Sequence, residues 1–311
     1  MKVDVIIPTF WPTERFLELI GMLEAQTAAV NRIIVMNTEE EGFRRLTDPQ
    51  VFLKEHKRVV LTHLPQKEFD HGATRDAGVR KSDADVFVCM TQDALPADPY
   101  LIERLIGALS QSGDIAAAYA RQLPEADCNV IEQYTRQFNY PDHSRIKGRG
   151  DIPELGIKTF FCSNVCAAYR RDVFERLGGF VSHTIFNEDM IYAAGAVEAG
   201  YRIAYAADAR VIHSHNYTAR QQFARNFDLG VSHAQYPEIF ESVPPEGEGM
   251  KLVKKTAKYL LKNHPLLLWK LFVNSAAKLA GYRLGKKYKK LPLQIIKRCS
   301  SQKGYWKNEG F

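Results

Sequence analysis

Long apolar runs are missing from this sequence of 311 residues. No window reaches the roughly 18 consecutive apolar residues that a bilayer-crossing helix needs. The nearest stretch, 265–280, is interrupted by Lys270, Asn274 and Lys278, so no membrane span is expected. No basic segment followed by an apolar core precedes the first expected strand at Val3, so no secretory signal is expected and the chain is assigned to the cytoplasm. Cysteine is sparse and scattered: of Cys89, Cys128, Cys162, Cys166 and Cys299, only Cys162 and Cys166 approach a metal-ligand spacing, and no second pair completes a zinc site. Reduced thiols are the expectation. Internal repeats and low-complexity segments are also absent.

Acidic residues are nearly missing from one end. From Met250 onward there are 14 Lys and 2 Arg against a single acid, Glu309; this balance of +15 leaves the preceding residues at −9 within a net charge of +6. An acidic body with a basic tail meets two kinds of partner, and anionic lipid or nucleic acid are the usual ones for the tail. No nucleic-acid recognition motif accompanies the charge.

With 45% hydrophobic residues, the chain can build one large α/β domain and an appendage. The runs VDVII and RIIVM predict buried parallel strands over 3–7 and 32–36, joined by a helix over 13–26 that places Phe16, Leu19, Ile20 and Leu23 on one face behind a Thr13 cap. Further strands are expected over 58–61 and 86–90, with a helix over 72–81 between them. This alternation predicts a mostly parallel, doubly wound sheet with ligands at the carboxyl ends of its strands. Beyond it a helix is expected over 99–110, a strand over 116–120, an irregular acceptor-side segment over 127–147, a strand over 160–169, helices over 171–177 and 188–199, and short strands over 203–206 and 210–213.

Three groups of side chains carry chemistry. Asp93, in Thr91-Gln92-Asp93-Ala94, follows a strand and faces the ligand edge, although an aspartate there also forms turns and caps. Glu188 and Asp189, in Asn187-Glu188-Asp189-Met190, enter a helix, where they either complement its dipole or divide metal and proton duties. His213 and His215 follow a strand and offer imidazole to a divalent ion. A hard ion held by carboxylate, imidazole and phosphate oxygens neutralises a leaving diphosphate, and Mn²⁺ accepts nitrogen more readily than Mg²⁺.

The ordered set Val-Ile-Ile-Pro-Thr-Phe ending at Phe10, Phe69-Asp70-His71-Gly72-Ala73-Thr74-Arg75, Thr91-Gln92-Asp93-Ala94, Asn187-Glu188-Asp189 and His213-Ser214-His215-Asn216-Tyr217 resembles family 2 glycosyltransferases of the GT-A fold, specifically their rhamnosyltransferase branch. The likeness covers about residues 1–232. It implies that Pro8, Thr9 and Phe10 line a nucleotide pocket, that Asp70, His71, Gly72 and Arg75 act on the nucleotide and diphosphate, and that Gln92 stands with Asp93 at the donor. Asp93 corresponds to the surviving aspartate of a DxD metal motif, with Thr91 in place of the first. Asp189, supported by Glu188, corresponds to the general base, and His213 or His215 to a metal ligand. Where many relatives have an acid after the second strand, this chain has Asn37, which takes over the contact with the base.

The resemblance implies an inverting, Mn²⁺- or Mg²⁺-dependent transfer of L-rhamnose from dTDP-rhamnose to a glycan or polyprenyl-diphosphate-linked acceptor in cell-surface polysaccharide synthesis. A UDP-hexose donor is the alternative, and a non-catalytic sugar-nucleotide or lipid-binding module is the alternative of another class. The expected layout is a catalytic domain over 1–240, with donor binding over about 1–95 and the acceptor side over about 96–240. A basic amphipathic helical region over 241–311 follows, profiled to lie on the anionic inner face of a membrane with Trp269 at headgroup depth.

Overall fold

The computed structural model describes residues 1–241, 243 and 246–308. Glu309, counted in the tail charge, lies outside the described residues. Two compact units emerge: Met1–Leu123 with Tyr140–His183 and Glu188–His213, and Pro124–Asn139 with Thr184–Asn187 and Ser214–Phe311.

The first unit is built on a nine-stranded sheet of β1 (Val3–Phe10), β2 (Arg32–Thr38), β3 (Val59–Leu64), β4 (Val86–Met90), β5 (Leu95–Pro96), β6 (Ile115–Leu123), β7 (Arg145–Lys147), β8 (Cys166–Arg170) and β9 (Arg202–Ile212). The order is β3-β2-β1-β4-β8-β6-β9-β5, with β7 on β9. The predicted βα alternation produces the parallel half, β3-β2-β1-β4. Beyond it β8 runs antiparallel to both β4 and β6, while β6 and β9 are parallel. The central strands are buried on both faces, as continuous β-branched runs require.

Helix Glu14–Glu24 buries Phe16, Leu19, Ile20 and Leu23, the face its spacing predicts. Thr13 occupies its N-cap position without a side-chain capping bond. Phe16 meets Phe43 and Phe52 with ring centroids 6.0 Å away in each case. These partners come from two helices that the sequence reading left unassigned, Glu40–Leu46 and Pro49–Glu55. The second is started by Asp48, whose carboxylate accepts from the Gln50 and Val51 amides at 2.8 and 3.1 Å.

The expected strand over 160–169 is shorter: Gly156–Phe160 forms a 3₁₀ turn, and pairing begins only at Cys166. The expected short strands over 203–206 and 210–213 form the single strand β9, with a register irregularity between Ala206 and Arg210. The segment expected to be irregular contains helix Val130–Asn139 and β7. All five cysteines are free thiols.

The second unit is helical. Helix Ala219–Gln235 opens with a capping box between Thr218 and Gln221. Helix Leu268–Gly285 approaches it backbone to backbone: a Cβ on Gly281 or Gly285 would stand 2.2 Å from the Phe223 carbonyl oxygen or 2.0 Å from that of Phe227. Its core gathers Ile185, Phe227, Val231, Tyr288, Ile296 and Trp306. Other large apolar side chains of this unit face outward, among them Leu266 at 85%, Phe272 at 74% and Trp269 at 68% exposure. No described helix is long and apolar enough to cross a membrane.

Candidate active site

The carboxyl ends of β1, β2 and β4 carry the first group of expected residues. Thr9 and Asn37 are buried and bonded to each other, Oγ1 to Oδ1 at 2.9 Å. The Asn37 amide nitrogen is engaged by the Glu39 carbonyl at 3.1 Å and His63 Nδ1 at 2.9 Å. Asn37 therefore fixes the floor of the strand ends, while Phe10 and Trp11 stand exposed above it. Gln92 is a brace: its Oε1 accepts from the Phe10 amide at 2.9 Å and its Nε2 donates to the Phe10 carbonyl at 3.0 Å, tying the end of β1 to the turn after β4. The sequence reading passed over Trp11, a non-glycine residue at φ 47° whose ring is covered by Arg45 at 4.6 Å. Its signal was available as a large aromatic immediately before Pro12.

In the FDHGATRDAG stretch, Asp70 is a helix cap, accepting from the Ala73 amide at 2.7 Å. Gly72 is dictated by packing, since a Cβ there would stand 1.8 Å from the Val181 carbonyl oxygen. The His71 ring packs edge-on to Phe69, and its carbonyl accepts from Arg75 Nη1 at 2.8 Å. Arg75 itself is buried, and Nη1 ion-pairs with Glu188 Oε1 at 3.0 Å. A charge expected to meet diphosphate is thus directed at the acidic pair of helix Glu188–Glu198.

That pair is organised by a residue absent from the sequence reading. Asn164 is 3% exposed; its backbone amide donates to Asp189 Oδ2 at 2.8 Å and its Nδ2 to Glu188 Oε1 at 2.9 Å. Tyr169 Oη donates to Asn164 Oδ1 at 2.7 Å and fixes the amide's orientation. Burial alone would raise the Glu188 pKa, but Arg75, then His71 and the Asn164 amide, hold it below the ordinary range. Asp189 moves the other way: burial first and the Glu188 charge second push it up to about 7, against the amides of Asn164 and Met190. Adjacent carboxyls with diverging proton affinities separate a permanent anion from a group poised to exchange a proton near neutrality.

Asp93 and His213 are brought together by strand pairing. Leu95 of β5 stands opposite Ile212 of β9, which sets the residues just before β5 beside those just after β9. Arg15 bridges both: Nε donates to the Asp93 carbonyl at 2.8 Å and Nη2 to the Ile212 carbonyl at 3.1 Å. His213 Nε2 lies 3.6 Å from Asp93 Oδ2. Gln122 Nε2 donates to Ser163 Oγ at 3.0 Å, which turns its Oε1 toward His213 Nδ1, 3.2 Å away. An acceptor there requires Nδ1 to carry the hydrogen, leaving the Nε2 lone pair on the Asp93 side. Carboxylate and imidazole within 4.8 Å, with the imidazole held in its ligating tautomer, could hold a divalent ion. His215, two residues along the chain, has its ring centroid 4.9 Å from that of Tyr217.

The glycosyl transferase family 2 profile matches residues 4–178. The chain is 42% identical over 310 residues to the O-antigen chain rhamnosyltransferase RfbN of Salmonella typhimurium, covering 99% of this chain and 97% of that protein. It is 39% identical to the O-antigen chain rhamnosyltransferase WbaN of Salmonella anatum, covering 98% and 95%. Its fold is similar to that of the mannosyltransferase PcManGT from Pyrobaculum calidifontis, solved with GDP-Man and Mn²⁺, at a TM-score of 0.56 and 18% identity over 99% of this chain and 85% of that one. The sheet is that of the GT-A fold. The chain belongs to glycosyl transferase family 2, in its rhamnosyltransferase branch.

Proposed function

We propose that this enzyme transfers L-rhamnose from dTDP-rhamnose, with inversion, to a glycan or polyprenyl-diphosphate-linked acceptor of an O-antigen-type polysaccharide. The observation that carries the chemistry is the split between Glu188 and Asp189. Asp189, titrating about 7, accepts the proton of the acceptor hydroxyl as that oxygen bonds to the anomeric carbon. Glu188, locked to Arg75 and Asn164, stays ionised and sets the proton affinity of its neighbour. Asn164 holds the Asp189 carboxylate in one orientation through its backbone amide. The near-full-length likeness to RfbN and WbaN supports the rhamnosyl donor and the O-antigen context.

Asp93, His213 and His215 would hold Mn²⁺ or Mg²⁺, which when bound supplies positive charge to the departing diphosphate. Gln122 and Arg15 keep the first two ligands in place from behind. Pro8, Thr9 and Phe10, joined by Trp11, form the nucleotide end, with Gln92 keeping Phe10 in position.

Leu261, Leu266, Trp269 and Phe272 are each more than 60% exposed, on a segment that also carries Lys258, Lys262 and Lys270. Outward apolar side chains among lysines support docking on the anionic cytoplasmic face of a membrane. The test is nucleotide release with Mn²⁺ across dTDP-rhamnose, UDP-glucose, UDP-galactose and GDP-mannose. Selective turnover of dTDP-rhamnose is expected. Preference for another donor would keep the family and remove the rhamnose assignment.

A further inference from the structure

Helix Glu246–Asn263 carries Lys255, Lys258 and Lys262 on one face, around Tyr259. With Tyr134 of helix Val130–Asn139 they line a cleft of about 370 Å³ within the second unit. The Tyr134 and Tyr259 rings stack with centroids 4.8 Å apart and planes 26° apart, forming a stiff wall. Lys255 Nζ stands 5.2 Å over the Phe138 ring. Like charges one turn apart cost a helix a few tenths of a kcal/mol per pair. Glu248 is paired with Lys251 at 2.6 Å, and among the described residues no carboxylate ion-pairs with Lys255, Lys258 or Lys262. Three uncompensated ammonium groups around one cleft, braced by stacked phenols, make a receptor for a compact, multiply charged anion.

We propose that this cleft binds the phosphate or diphosphate headgroup of a membrane lipid. Lysine is a point-charge phosphate binder that adapts to either group. The exposed Leu261 and Leu266 lie on and just beyond the same helix, so a lipid headgroup is the phosphate these lysines meet when the apolar side chains enter a bilayer. The proposal rests on the membrane-docking reading and is independent of the donor sugar.

The test is vesicle flotation of the full chain with phosphatidylcholine alone, with added long-chain polyprenyl diphosphate, and with added phosphatidylglycerol. Pyrophosphate and sulfate serve as competitors. Lys255→Gln/Lys258→Gln/Lys262→Gln is compared with the equal-charge control Lys254→Gln/Lys287→Gln/Lys290→Gln. The expected result is a cleft-dependent gain on phosphate lipid that pyrophosphate competes away, lost roughly tenfold in the first triple, about 1.4 kcal/mol, and retained in the control. Which added lipid gives the larger gain identifies the headgroup. Equal losses in both triples would reduce the cleft to diffuse charge and overturn the proposal, as would failure of pyrophosphate to compete or tighter binding of single-stranded DNA than of vesicles. Should the wild-type chain ignore every vesicle, the docking reading fails; calorimetry with pyrophosphate in solution then tests the cleft separately, heat in the wild type but not the first triple keeping a phosphate site and no heat removing it.

Discussion

At the residue scale, the proposed site divides labour between neighbours whose charges depend on each other. Burial first and the Glu188 charge second raise Asp189, so Glu188→Gln is expected to lower the Asp189 pKa in part and move the acidic limb of the rate profile to lower pH. The same change strands the buried Arg75 charge, so thermal melting should also show a loss of stability. Arg75→Met removes the other partner and leaves Glu188 ionised in the interior; breaking such a buried pair costs about 3–5 kcal/mol, measurable by urea unfolding. Gln122→Leu leaves the three proposed metal ligands in place but frees the His213 tautomer. Manganese titration should report a loss of about 10- to 100-fold in affinity. The carboxylates and histidines stood out in the sequence because they follow apolar strand runs or open a helix. Arg15, Gln122 and Asn164 did not, because each acts on residues at least 24 positions away, and only the folded chain reveals which ones.

At the scale of elements, periodicity predicted the four parallel strands and the helices after β1 and β3, because both faces of β1 and β4 and one face of helix Glu14–Glu24 are buried in continuous patterns. It failed where tertiary contact overrides pattern. The apolar run over 160–169 contains Ser163 and Asn164, which leave strand geometry to serve Gln122 and the acidic pair. Their polarity was the available signal. Helices Glu40–Leu46 and Pro49–Glu55 are short, and their buried phenylalanines make sense only against Phe16. Gly72, legible as a motif residue, has a role that only packing discloses. Gly72→Ala should destabilise the fold, because backbone rather than a flexible side chain blocks the new methyl; a lowered melting temperature, with loss of activity following unfolding, is the expected reading. Gly285→Ala meets the same obstacle in the second unit and should lower the melting temperature as well.

At the scale of the whole molecule, the basic charge of the tail and the exposure of Trp269, Phe272 and Leu266 are the grounds for the proposed surface docking. Trp269→Ser/Phe272→Ser should reduce vesicle binding while leaving donor hydrolysis in solution unchanged. High salt should weaken the wild-type association, since exposed lysine contributions are screened. The near-full-length similarity to two O-antigen chain rhamnosyltransferases extends through this tail.

The central claim, that Asp189 is the proton acceptor of a sugar transfer, is tested most directly by kcat/KM against pH for the wild-type enzyme and Asp189→Asn with dTDP-rhamnose and acceptor. A base raised to about 7 is protonated and idle below that pH and active above it, so the wild-type rate should climb through a single acidic limb centred near 7. Asp189→Asn should be slower by about 10² to 10⁴ and lack the limb, with donor binding by calorimetry unchanged. An Asp189→Asn variant that keeps both the rate and the limb would contradict the account.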